Sequence, residues 1–164
     1  MDRTNIVLIG MPSSGKTTIG QPLAQKTGKQ FIDTDLVIKE RENKPLREIV
    51  NQDGLKRFIE IQEEVLLGLH VENHVISTGG SVIYGDASMM HLKSDGLVIY
   101  LKNSLSELET RIAPDRRFAR NEGQSFSDLY YERAPLYEKY ADKVIECDGK
   151  TEEEIVEEIL RVLN

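Results

Sequence analysis

The stretch GMPSSGKTTIG, Gly10 to Gly20, follows directly on the apolar run NIVLIG and constrains this chain more than any other segment. Gly10, Gly15, Lys16 and Thr17 fit the pattern G-x-x-x-x-G-K-[ST], with a strand-like run before them and a helix-like run after, as that pattern requires. Glycine is needed because a side chain would block the turn and hold the backbone N–H groups away from a phosphate; the helix N-terminus then adds its partial positive charge. Met11, Pro12, Ser13 and Ser14 span the loop and Thr18 follows Thr17, so residues 10–18 form the expected nucleotide cradle. Lys16 can reach the terminal phosphates, and the Thr17 hydroxyl can hold Mg²⁺. The competing reading is a tight turn with no ligand.

Such a cradle serves kinases, GTPases, motors and sensors alike. The absence of an N-K-x-D stretch weakens the GTPase reading, and 164 residues are few for a motor. That length suits one domain, 1–164, with a core of its own. Short apolar runs at NIVLIG, KQFID, HVIST, GLVIYL and KVIEC alternate with helix-like segments, which predicts an α/β fold with a parallel sheet covered on both faces. Helices are expected over Lys16 to Lys26, Gly54 to His70, Leu105 to Ile112, Ser125 to Tyr140 and Thr151 to Leu163. In the last, Thr151 and Glu154 have capping-box spacing and Ile155, Val156, Ile159, Leu160 and Leu163 share a face. Pro135 is expected to interrupt or bend its helix.

The net charge of −7 gives no general footprint for nucleic acid, though a local basic cluster can still bind a small anion. No apolar run is long enough to span a membrane, and the first residues lack the cationic and apolar regions of a secretory signal. The one cysteine, Cys147, has no internal partner and is expected to be packed and inert, so a cytoplasmic protein, acting as a monomer, is the expectation.

Asp33 and Asp35, in FIDTDL, lie two residues apart, on the same side of the chain if it is extended. At the carboxyl edge of a parallel sheet both would face the cradle, Asp33 toward Mg²⁺ and Asp35 toward the hydroxyl of an acceptor. Helix N-capping is the alternative for either one. Gly79 and Gly80 follow the run HVIST, where missing side chains admit a ligand or simply make a turn. Arg133 can grip a carboxylate with two parallel hydrogen bonds, or pair with Glu132 or Glu138 on the surface. The arginine-bearing interval Ala113 to Gln124 reads as a lid or as a solvated basic loop.

GMPSSGKTTIG, FIDTD, STGGSV, the arginine-bearing interval and ERAPLYEKYAD together resemble the shikimate kinases, in order and approximate spacing, over essentially the whole chain. The resemblance implies a three-layer, nucleoside-monophosphate-kinase-like fold with a five-stranded parallel sheet, a mobile lid at about 112–124 and an acceptor-binding region at about 33–62. It implies ATP-dependent phosphorylation of a small hydroxylated carboxylic acid. Asp35 would bind acceptor hydroxyls, Gly79 and Gly80 would let the acceptor lie against backbone, and Arg133 would pair its carboxylate. Arg117 in the lid would approach the transferring phosphate, and Arg111 would lie near the adenine.

The likeness breaks at four positions. Ile59 stands where the family usually has an arginine after phenylalanine, and Gln62 where a glutamate follows; Ser81 replaces a third glycine and Phe118 a proline. Losing both charges at once leaves neither buried and uncompensated, which reads as a repacked site. Lys56 and Arg57 do not substitute at position 59 on a regular helix without a change of register, the alternative being that one of these long side chains reaches in. The reading is therefore an ATP- and Mg²⁺-dependent kinase of shikimate or a related hydroxylated acid, with an acceptor pocket shifted toward a less anionic or differently shaped alcohol. The alternatives are a kinase of gluconate or a polyol, and a nucleotide-binding sensor without catalysis.

Overall fold

The computed structural model describes residues 3–112 and 123–163. Five strands, β1 (Asn5–Ile9), β2 (Gln30–Asp33), β3 (His74–Ser77), β4 (Gly96–Lys102) and β5 (Lys143–Glu146), form one sheet in the order β2-β3-β1-β4-β5. Every pairing is parallel, with Ile6 against Val75 and Leu97, and Ile32 against Ile76. The α/β fold expected from the alternation is the one observed.

All five residues of β1 are buried, as a central strand of a sheet covered on both faces requires. Ile6 and Leu8 pack toward α1 (Lys16–Thr27) and α7 (Glu152–Leu163), in a cluster with Leu23, Val156 and Ile159. Val7 and Ile9 pack on the opposite face, with Met89 of α4 (Asp86–Ser94) and Leu129 and Tyr137 of α6 (Phe126–Tyr140). Burying each such aliphatic side chain contributes about 1.5–3 kcal/mol. A third, smaller cluster joins Ile38 of α2 (Thr34–Glu42) to Ile49, Phe58, Ile61 and Val65 of α3 (Leu46–Leu67).

The capping box of α7 forms as its spacing predicts, with Glu154 N donating to Thr151 Oγ1 at 3.1 Å and Thr151 N to Glu154 Oε1 at 3.2 Å. A second box closes α6, between Ser125 and Asp128. Three expectations are corrected. α6 is not interrupted at Pro135 but continues through it, at the loss of the hydrogen bond that the residue there would donate to the Tyr131 carbonyl. The helix expected from Gly54 begins at Leu46 instead and carries Gly54 as an internal break with φ 87° and ψ 162°. α5 (Leu105–Glu109) is shorter than expected. The proposed lid core, residues 113–122, lies outside the described residues.

Candidate active site

Three neighbouring strands deliver their carboxyl ends to one cleft of about 370 Å³. β1 runs into the glycine-rich loop, β2 ends at Asp33, and β3 ends at Ser77 ahead of Gly79 and Gly80. Crevices at this edge of a parallel sheet are where ligands bind.

The loop closes on the N-terminus of α1, where Gly15 takes φ 98°, a left-handed conformation that favours glycine. The Lys16 ammonium is buried inside the loop, 2.6 Å from the Gly10 carbonyl and 2.9 Å from that of Met11. The loop therefore carries a fixed positive charge in addition to its helix end, an arrangement suited to phosphate. Arg111 donates to the Ser13 carbonyl at 3.3 Å and pairs with Glu107 at 3.0 Å, which sets its guanidinium on the rim of the loop. From the other side Asn103 Nδ2 donates to the Ser14 carbonyl at 3.4 Å, and Tyr130 of α6 donates to the Asn103 carbonyl at 3.2 Å. No simple motif announces Asn103, since its side chain holds a backbone carbonyl far away in sequence.

Asp33 and Asp35 both line the cleft, by a route different from two alternate residues of one strand. The strand ends at Asp33, whose Oδ1 accepts from Asp35 N at 2.9 Å as the N-cap of α2, so Asp35 sits in the first helical turn. The other Asp33 oxygen accepts from Thr17 Oγ1 at 3.4 Å, and Thr17 Oγ1 lies 3.5 Å from Ser77 Oγ. Hard oxygen donors beside a phosphate loop suit Mg²⁺, so these residues fit the ion that the fold family implies.

Gly79 lies directly against Asp35: a Cβ there would fall within van der Waals contact of the carboxylate oxygen. A Cβ on Gly80 would stand 2.8 Å from Pro12 Cδ and 2.9 Å from Arg133 Nη1. The two glycines are thus required by close approach, not by an unusual φ. The Tyr137 hydroxyl donates to the Gly80 carbonyl at 2.6 Å, and burial pushes its pKa well up, so it stays a protonated donor.

Arg133 is 1% exposed, with Nε 3.2 Å from the Tyr84 hydroxyl and its guanidinium 5.2 Å from the Tyr84 ring centroid. Tyr84 in turn donates to Glu132. Glu138 pairs with Lys102 at 3.0 Å. Arg133 is therefore buried rather than at the surface, and it lines the cleft from within. Nothing in VIYG marks Tyr84 as a support for an arginine.

The departures at 62 and 81 meet each other. Ser81 and Gln62 are both buried, and the Ser81 hydroxyl donates to Gln62 Oε1 at 3.4 Å. Ile59 packs against the third hydrophobic cluster and does not line the cleft. Arg57 is drawn to Glu60 and Glu64, at 3.3 and 3.5 Å, so it does not replace the missing arginine. One further cation does line the cleft: Arg47, in the first turn of α3. Among the described residues the lining then holds Lys16, Arg47 and Arg133 against Asp33 and Asp35, a positive balance on a chain of net charge −7. Arg117 and Phe118 lie outside the described residues. Among the described residues no helix is long and apolar enough to cross a membrane.

The family model described as shikimate kinase matches residues 12–164. A shikimate kinase of Thermodesulfovibrio yellowstonii is 36% identical over 162 residues, covering 96% of this chain and 93% of that protein. A shikimate kinase of Acinetobacter baumannii, solved in complex with shikimate, superposes with a TM-score of 0.88 at 29% identity, over 98% of this chain and 92% of that one. Threonine synthase-like 1 of Homo sapiens is 35% identical over 97% of this chain, which spans 22% of that protein's length.

Proposed function

Because this chain belongs to the shikimate kinase family, whose members are ATP-dependent small-molecule kinases, we propose that it transfers the γ-phosphoryl group of ATP to a hydroxyl of shikimate or a closely related hydroxylated acid. The observation that carries this reading is the seating of Asp35 against Gly79 in the same cleft as Lys16 and Thr17. A carboxylate in that position accepts or orients the hydroxyl proton, and the bare backbone of Gly79 and Gly80 lets the acceptor ring come close. Lys16 offsets charge developing on the phosphates. Arg133, held by Tyr84, grips the acceptor carboxylate. Thr17 and Asp33 are the residues to hold Mg²⁺, which supplies charge neutralisation at the phosphates when bound. Arg111 is assigned to the nucleotide side and Arg117 to the transferring phosphate, the latter on family likeness alone.

The test is acceptor-stimulated release of ADP from Mg·ATP. Wild-type protein is expected to respond to shikimate, and Lys16→Ala to lose the response by about 10²-fold or more. A second reading, that another small hydroxylated acid is the native acceptor, is favoured by Ile59 and Gln62; quinate, gluconate, homoserine and neutral polyols in the same assay separate the two. No stimulated release across that panel overturns the kinase reading in favour of a nucleotide sensor. The same reading takes the protein as a cytoplasmic monomer, its lone Cys147 buried as a thiol, and elution near 18.6 kDa checks the monomer.

A further inference from the structure

We infer that Arg47 is the residue that replaces the missing family arginine, binding the carboxylate of the acceptor together with Arg133. The inference rests on the reading of this cleft as an acceptor site. On the α3 side the cleft wall is apolar, formed by Leu46, Val50 and Phe58, and Arg47 is its one charge. The side chain is exposed and makes no hydrogen bond or ion pair with any described residue, whereas the nearby Arg57 is tied to Glu60 and Glu64.

Helix stability does not explain an arginine there. Arg47 is the second residue of α3, where the positive end of the macrodipole disfavours a cation, and the capping residue before it is Pro45, which offers no side-chain acceptor. Its position goes with the break at Gly54: the helical stretch before that residue, with Ile49 buried in the third cluster, lines the cleft with Leu46, Arg47 and Val50. Ile59, beyond the break, turns instead to the hydrophobic cluster. A guanidinium on this first segment can take the carboxylate from the cleft mouth while Arg133 takes it from below. Binding an anionic acid with two guanidinium groups is thus preserved, with one of them supplied from a different point on the same helix. On this inference the acceptor is an anionic hydroxylated acid, contrary to the less anionic partner that the loss at position 59 alone suggests.

The test is calorimetric binding of shikimate and of its uncharged carboxamide in the presence of Mg·ADP. Wild-type protein is expected to prefer shikimate by at least about tenfold. Arg47→Ala should weaken shikimate about 10- to 100-fold, leave the carboxamide within about twofold, and leave the melting temperature unchanged, since the side chain is exposed. Arg47→Lys should fall between the two, keeping the charge but losing the fork. Equal weakening of both ligands, no effect on either, or no binding of shikimate by wild type overturns the inference. The kinase reading is judged separately: shikimate bound in an Arg47-dependent way but never phosphorylated removes the reaction and keeps the recognition, while full-rate phosphorylation by Arg47→Ala with unchanged KM does the reverse.

Discussion

The Ser81 hydroxyl donates to Gln62 Oε1 across 3.4 Å, in a site where both residues are buried. Each stands where related kinases carry something else, and each is the other's partner. Restoring only the glutamate, Gln62→Glu, places a carboxylate at a position 2% exposed with Ile59 nearby in place of a cation. This is expected to destabilise the protein by about 2–4 kcal/mol at pH 7. Adding Ile59→Arg should recover at least half of that loss. Urea unfolding of the two single variants and the double variant gives the coupling; strictly additive effects would show that positions 59 and 62 do not interact.

Gly79 and Asp35 leave no room between them for a methyl group. Gly79→Ala is expected to push the carboxylate off its position and lower kcat/KM for the acceptor by about 10²-fold, while the affinity for Mg·ATP stays within about threefold. Steady-state kinetics with each substrate varied checks this. An alanine variant of undiminished acceptor kinetics would dissociate Asp35's placement from turnover.

Asp142 ties three parts of the fold together, accepting from Val98 N at 2.9 Å, Lys93 Nζ at 3.1 Å and Arg3 Nη1 at 3.1 Å. Burial opposes its ionisation, but the Val98 hydrogen bond and the two cations outweigh it, and the carboxyl sits below the usual carboxylate range. A depressed folded-state pKa contributes stability above the ordinary value near 4 and loses it as pH falls through the depressed one. Asp142→Asn is therefore expected to cost about 1–3 kcal/mol at pH 7, with the gap to wild type closing below about pH 4. Denaturation at pH 7 and pH 3 tests the sign; a gap that widens in acid would refute it.

Cys147 lies just past β5, 1% exposed, its thiol 3.4 Å from the Ile145 carbonyl, and burial pushes it up to about 11. A buried neutral thiol is a poor nucleophile. Disulfide exchange with a chromogenic reagent at pH 8 is expected to be at least about 10²-fold slower in the folded protein than in urea, and comparable rates would show the site to be open.

The features legible in the sequence were those set by neighbours within a few residues. The spacing of Gly10, Gly15, Lys16 and Thr17 specifies a loop and a helix start together, and Thr151 with Glu154 specifies a cap. The unbroken apolar run of β1 announced a strand covered on both faces. What could not be read depends on where the chain returns. Gly54 looked like a beginning because glycine weakens helices; in the fold it is a corner between two helical stretches, so the turn bearing Arg47 was missed. Nothing marks α2 and α4 either, since they bury only one and two apolar side chains, Ile38 and the pair Met89 and Leu92. Asp35 reaches the cleft from α2 and not from the strand, since the switch from strand to helix falls between it and Asp33. Arg133 left a choice between surface and interior that only the packing of Tyr84 resolves.

The break at Gly54 has a wider meaning. It makes a single residue's torsions the joint between a short stretch that offers Leu46, Arg47 and Val50 to the cleft and a longer one that adds only Phe58 to that wall and buries Ile61, Val65 and Leu66 in the interior. Changes of taste can accumulate on the eight residues before that joint, around the fixed peg of Ile49, while the remainder of the helix keeps its seat against α2 and α4. One scaffold can in this way be retuned to a new partner molecule without its phosphate-handling half being rebuilt.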